Sequence, residues 1–146
     1  MTTVDTLTVS QGIELALSIL LTHGWESEYY ESWEKYALDN YDESEEETEG
    51  YSLQERQGAW EALLEGTKRE ATDGTVTARY VANQSDGLAH DNETYFVVLS
   101  LSDETATRYF KRDGWYASYD GGHLEEGENT EVFPHSVTIT DFKESK

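Results

Sequence analysis

The sequence predicts an α+β domain of about three N-terminal helices followed by an antiparallel meander of about five strands. Three observations carry this. Apolar residues recur at helical spacing up to Leu21. Two capping boxes, Thr8-x-x-Gln11 and Ser52-x-x-Glu55, mark helix starts. After Thr75 the apolar period changes from helical to two. At 146 residues with 18 aromatic residues (4 Trp, 10 Tyr, 4 Phe), the chain is large and apolar enough to bury a core. It reads as a single domain, 1–146, with a helical part over 1–66 and a β-rich part over 67–146.

Residues 2–9 read as a short lead-in, strand-like in composition. The first helix starts at the Thr8 cap. Ile13, Leu17, Leu20 and Leu21 share one side, and Leu15, Ala16 and Ile19 widen it until only Glu14, Ser18 and Thr22 are polar. A helix apolar on most sides is buried on most sides, so this is the expected core helix. Gly24 is expected at C′, with Trp25 as the apolar residue after it.

A second helix is expected over 26–41. At 100° per residue, Trp25, Tyr29, Trp33, Tyr36 and Ala37 form its inner face. Glu28, Glu31, Glu34, Asp39 and Asp42 form the outer one, with only Lys35 among them. An acidic linker, 42–50, follows. The third helix is expected from the Ser52 cap to Gly66, burying Leu53, Trp60, Leu63 and Leu64.

Strands are expected at 75–82, 94–101, 106–112, 115–119 and 136–142. The second is apolar on both faces and therefore central. Ser85-Asp86-Gly87 and Ser102-Asp103-Glu104 read as turns, and Asp113-Gly114 as a two-residue hairpin. The least ordered stretches are expected at 42–50, 83–92 and 121–131.

Charge dominates the composition. Thirty-one acids against ten bases give a formal net charge of −21. Residues 26–65 hold fourteen of the acids and two bases, a net of −12, and 39–49 alone hold seven acids and no cation. Such a field repels nucleic acid and anionic membranes and attracts basic surfaces. The best basic cluster, Arg108, Lys111 and Arg112, lies within that field, so direct nucleic-acid binding is not expected.

Chemical motifs are sparse. There is no cysteine, hence no disulfide, thiolate metal site or thiol nucleophile, which fits a reducing compartment. No basic leader segment is legible, and the run 13–21 is too short to cross a bilayer. Ser118, Asp120 and His123 lie close in sequence, but the Asp-Gly-Gly run reads as a turn rather than a triad. The four histidines have no zinc spacing, and the acidic linker lacks the pattern of a calcium loop. No catalytic residue, metal or cofactor is expected. Trp115, Tyr116 and Tyr119 read as core residues first and as a binding platform second.

Residues 109–122, Tyr-Phe-Lys-Arg-Asp-Gly-Trp-Tyr-Ala-Ser-Tyr-Asp-Gly-Gly, are followed by Glu131-Val132-Phe133-Pro134 and Val137-Thr138-Ile139. This resembles small acidic proteins of phages and prophages, in which an aromatic hairpin ends in Ser-Tyr-Asp-Gly before Glu-Val-x-Pro and a final strand. The resemblance covers the last third of the chain and implies a phage or mobile-element setting, acting in the host cytoplasm. It carries no functional residue across.

The expectation is a non-enzymatic acidic protein that mimics DNA and occupies the nucleic-acid-binding surface of a host defence or DNA-processing protein, of anti-CRISPR or anti-restriction type. The partner-binding residues are expected to be Glu28, Glu31, Glu34, Asp39, Asp42, Glu43, Glu45, Glu46, Glu47 and Glu49, with Tyr41 and Tyr51 beside them. Two alternatives stand. One is a salt-adapted domain whose acidity has no partner. The other is a virion or assembly protein binding through the aromatic hairpin, which leaves homo-oligomerisation open.

Overall fold

The computed structural model describes residues 3–41, 46, 48–83, 95–117 and 121–133. Helices α1 (Val9–His23), α2 (Trp33–Tyr41) and α3 (Gln57–Gly66) precede strands β1 (Glu70–Thr72), β2 (Thr77–Asn83), β3 (Tyr95–Ser102), β4 (Thr107–Ala117) and β5 (Gly121–Val132). The strands form one antiparallel sheet in sequence order, β1-β2-β3-β4-β5. This is the expected α+β architecture, with β3 central.

Helix α1 begins where its cap dictates. The Thr8 amide donates to Gln11 Oε1 at 2.8 Å, and the Gln11 amide donates to Thr8 Oγ1 at 3.0 Å. Ile13, Ala16, Leu17, Ile19, Leu20 and Leu21 are all buried, and α1 packs against every strand. Its half-buried Glu14 has a defined use: the carboxylate accepts the Leu53 amide at 2.8 Å and the Gln54 amide at 3.2 Å. Those are orphan donors at the start of a 3-10 turn, Leu53–Glu55, where an anion is favoured. Gly24 ends α1 at φ −124°, so it is not the left-handed C′ residue expected. It is glycine because a Cβ would press on Ala71 and on the Leu20 carbonyl.

The N-terminal lead-in is a 3-10 turn, Val4–Thr6, rather than a strand. It is tied to the sheet from two sides. Asp103 accepts the Val4 amide at 2.9 Å, and Arg108 Nη1 donates to the Val4 and Leu7 carbonyls at 2.8 and 2.9 Å.

The second helix is shorter than expected. Residues 26–32 are not helical, and α2 starts only at Trp33. Two local preferences outcompete the helix. Trp25 forms a bridge with Thr67, flanked by hydrogen bonds from Glu26 N to Gly66 O and from Lys68 N to Gly24 O. Then Ser32 acts as a fresh cap, its Oγ accepting the Lys35 amide at 3.3 Å. Tyr29, assigned to the inner face by helical phase, is 86% exposed.

The Ser52 capping box is present, but it opens the 3-10 turn Leu53–Glu55; α3 follows from Gln57. Trp60 and Leu63 are fully buried, with Leu53 and Leu64 packed at the edge of the core. Strand β1 was not expected. It pairs with β2 across an Asp73-Gly74 turn in which Asp73 Oδ1 accepts the Thr75 and Val76 amides and Gly74 takes φ +103°.

The Asp113-Gly114 hairpin is contradicted. Strand β4 runs through both residues to Ala117, pairing Phe96 with Asp113 and Tyr95 with Gly114. The glycines instead permit a close crossing of strands. A Cβ on Gly114 would meet the His123 carbonyl, and one on Gly127 would meet the Asp113 carbonyl. The pairing of β4 with β5 shifts register here, between Asp113 and Trp115, as at a β-bulge. The stretch 121–131, expected to be among the least ordered, is β5. The turn at 85–87 and the strand at 136–142 lie outside the described residues.

Candidate functional site: carboxylates around Trp25

Trp25 is fixed by three elements. Its backbone bridges Thr67, its indole Nε1 donates to the Ala62 carbonyl at 2.8 Å, and its ring tilts against Tyr36 at 5.9 Å between centroids. Gly66 makes this possible, since a Cβ there would meet the Trp25 ring and the Glu26 carbonyl at 2.8 Å. Tyr36 also receives Tyr30 edge-on at 5.5 Å and Tyr41 at 6.2 Å. The loop 26–32 thus folds back over α2. Tyr30 closes it, donating its hydroxyl to Asp39 Oδ2 at 3.1 Å.

Hollows open on the sides of Trp25. One, of about 300 Å³, is lined by Trp25, Tyr30 and Tyr36 together with Glu26, Glu28 and Glu65. A second, of about 660 Å³, adds Glu31. A third, of about 160 Å³, is lined by Trp25 with Glu31 and Glu34. Among the described residues, no lysine or arginine lines any of the three. Lys68 reaches Glu26 from outside at 3.1 Å, an exposed pair of little energetic weight.

The phenols of Tyr36 and Tyr41 are pushed up, first by burial and then by neighbouring carboxylates, Glu65 for Tyr36 and Glu61 for Tyr41. Both therefore stay neutral, electron-rich rings at physiological pH.

The expected acidic helix face is not formed. Glu28 and Glu31 sit on the loop before α2. On α2 itself Glu34 and Asp39 are five residues apart, about 140° round the axis at 3.6 residues per turn. The structure gathers the acids by another route. Folding of the loop brings Glu28 and Glu31 to Trp25, Glu34 lines one hollow with Trp25 and Glu31, and the Tyr30 hydrogen bond draws Asp39 to the loop. All four are exposed, as are Glu46 and Glu49. Asp42, Glu43, Glu45 and Glu47 lie outside the described residues. Tyr51 is 61% exposed, whereas Tyr41 is half-buried against Tyr36.

The structure also accounts for the basic cluster on β4. Arg112 is only 5% exposed. Its five N–H donors reach Leu124 O, Gln54 Oε1, Asn129 Oδ1, Gln54 O and Glu125 O at 2.7 to 3.2 Å. Arg108 makes a bidentate pair with Glu131 at 2.8 and 3.0 Å, and Lys111 lies over Phe96 and near Asp113. These cations hold the fold together.

One constellation has no signal in the sequence. His123 Nδ1 lies 3.2 Å from Glu125 Oε2 while its ring stacks on Trp115 at 4.1 Å. Glu61, from α3, faces the same pair. Burial, then repulsion from Glu125, raises its carboxyl above the usual range, against a smaller opposing pull from His123. Periodicity could have placed Glu61 on the Leu64 side of α3, but not opposite β5. Ser118 and Asp120 lie outside the described residues. Among the described residues no cluster of three or more His, Asp or Glu side chains is placed to hold a metal ion, and no helix is long and apolar enough to cross a membrane. Comparison of the chain with family models, with curated proteins and with solved structures finds no match.

Proposed function

We propose that this protein is a non-enzymatic acidic binder that occupies the basic, nucleic-acid-binding surface of another protein, in the manner of a DNA mimic. The observation that supports it is the gathering of Glu26, Glu28, Glu31, Glu34 and Glu65 around one fixed aromatic residue, Trp25, with no lysine or arginine among the described residues that line the hollows. Duplex DNA carries about one charge per 1.7 Å of axis, and proteins that bind it present clustered Lys and Arg. A rigid surface dense in carboxylates competes for those side chains and gains from the same release of counterions. The resemblance of 109–142 to phage and prophage proteins supports a role against a host defence or DNA-processing enzyme. Within that stretch β4 and β5 do form an antiparallel pair, although its turn is not at Asp113-Gly114.

The test is capture of binding proteins from a host lysate by the native chain and by a variant carrying Glu28→Lys, Glu31→Lys, Glu34→Lys and Glu49→Lys. The expected captured protein binds nucleic acid, is displaced by duplex DNA, leaves as salt rises, and ignores the variant. Capture that survives both charge reversal and excess DNA refutes the reading.

A second reading, salt adaptation, is favoured by a different observation. Exposed carboxylates also occur outside those hollows, at Asp5, Glu70, Asp73, Glu104 and Glu128. Unfolding on transfer from molar salt to dilute buffer, where self-repulsion is unscreened, would favour that reading.

A further inference from the structure

The hollow walled by Trp25, Tyr30 and Tyr36 is more specific than a general negative charge requires. Diffuse attraction to a basic surface needs only exposed carboxylates. Here the aromatic walls are held in place by two independent constraints. Trp25 is locked by its indole hydrogen bond to Ala62 and its bridge to Thr67. Tyr30 is locked by its hydrogen bond to Asp39 and its edge contact with Tyr36. The volume, about 300 Å³, is at the lower end of the range of pockets that take small organic groups, roughly 300–1,000 Å³. Glu26, Glu28 and Glu65 line the same hollow and are exposed, so their carboxylates are open to donors.

Aromatic faces carry negative electrostatic potential, and a cation within about 6 Å of a Trp or Tyr centroid is attracted to it. Carboxylates lining the hollow accept charge-assisted hydrogen bonds, which a planar guanidinium donates in pairs. A compact ammonium would keep more of its hydration and stack less well. We propose that this hollow is a receptor for a single arginine side chain of the partner. The guanidinium stacks on the Trp25 ring, with Tyr30 and Tyr36 beside it, and donates to Glu28 and Glu65. The inference rests on the reading of the protein as a binder of basic surfaces and assigns one anchor point within it. It also divides the labour: the surrounding acids steer the encounter, and the aromatic hollow sets register.

The direct test is NMR titration of the full chain with N-acetyl-arginine amide, with N-acetyl-lysine amide as the comparison. Saturable shifts are expected at the Trp25 indole N–H and the Tyr30 and Tyr36 rings, with the buried Trp60 indole unmoved. Arginine amide should bind at millimolar concentration and several-fold more tightly than lysine amide. The double variant Glu28→Gln and Glu65→Gln should weaken arginine binding by about tenfold, a loss of about 1.4 kcal/mol, while the Trp60 signal reports that the fold persists. Small, non-saturating shifts spread over all acidic segments, or equal responses to the two amides, overturn the proposal. If that occurs while the charge-reversal variant still loses its captured partner, the arginine receptor is refuted and the acidic binder stands. If arginine binds in the hollow but no nucleic-acid-binding protein is captured, the binder reading fails by itself.

Discussion

Arg112 Nη2 donates to the main-chain oxygen of Gln54 at 2.9 Å, so the middle of β4 is tied to the turn that precedes α3. The side chain of Gln54 extends the link. Its Oε1 accepts from Arg112 and from Asn129 Nδ2, and its Nε2 donates to Ser10 on α1. One buried polar network therefore joins α1, the turn before α3, β4 and β5. Arg112→Met should remove about 3–5 kcal/mol from the free energy of unfolding, because several buried acceptors lose their donor together. Arg112→Lys should recover only part of it, since an ammonium cannot span five acceptors. Urea unfolding curves of the two variants measure this.

The two glycines at the β4–β5 crossing should not tolerate a methyl group. In Gly114→Ala and Gly127→Ala the added carbon meets backbone carbonyls, which cannot swing aside as a side-chain tip can. Each should cost at least the 1–3 kcal/mol typical of overpacking, about the upper end for Gly127. Thermal unfolding would show it. By contrast, alanine at Gly50, whose site is open but whose φ is +90°, meets only backbone strain.

Asp103 should govern part of the acid limb of stability. The Thr105 hydroxyl, with the amides of Val4, Thr105 and Ala106, pulls its carboxyl down to about 2. The unfolded value is about 3.9, so the unfolded chain binds the proton first as pH falls. The contribution of Asp103 is complete above about pH 4 and is lost as pH falls through about 2. Asp103→Asn should lower the melting temperature at neutral pH, and the gap to the native chain should close toward pH 2. A gap that stays constant with pH would contradict the assigned role of the carboxylate.

Glu61 has the opposite sign. Burial and Glu125 raise its carboxyl in the folded state, so the folded chain binds the proton more tightly. The charged form at neutral pH opposes folding, and the opposition fades as pH falls through the raised folded value toward the ordinary glutamate range. Glu61→Gln should therefore raise the melting temperature at pH 7 and have little effect near pH 4. Calorimetric scans at the two pH values check both halves of the claim.

The elements written in local chemistry were legible in the sequence. The Thr8-Gln11 box, the stripe 13–21, the Gly66 stop and the alternation after Val76 each depend on residues within one or two turns. The misreadings came where a local pattern met a distant partner. Helical phase extended α2 back to Glu26, but Trp25 is held by Ala62 and Thr67. Ser32, directly before Trp33, was the available sign of the true start. Asp-Gly is a common turn pair, yet at 113–114 the glycine serves a strand crossing whose other half, Gly127, is remote in sequence. Arg112, read only as part of a basic cluster, lies two residues from Phe110 on β4 and is buried with it. Its partners Gln54 and Asn129 had no mark in the sequence. At the candidate site the sequence supplied the carboxylates but not Trp25 as their centre, because a folded loop has no period to read.

Helix α1 touches all five strands, yet it is made before any of them. During synthesis its apolar face must wait for β5, roughly a hundred residues downstream. At about 5–20 residues per second that is on the order of 5–20 s at the ribosome. Arg108 imposes the same delay on the N-terminal turn, whose carbonyls it holds. The nascent chain thus carries a greasy, unsatisfied segment through most of its translation, followed closely by its densest run of carboxylates.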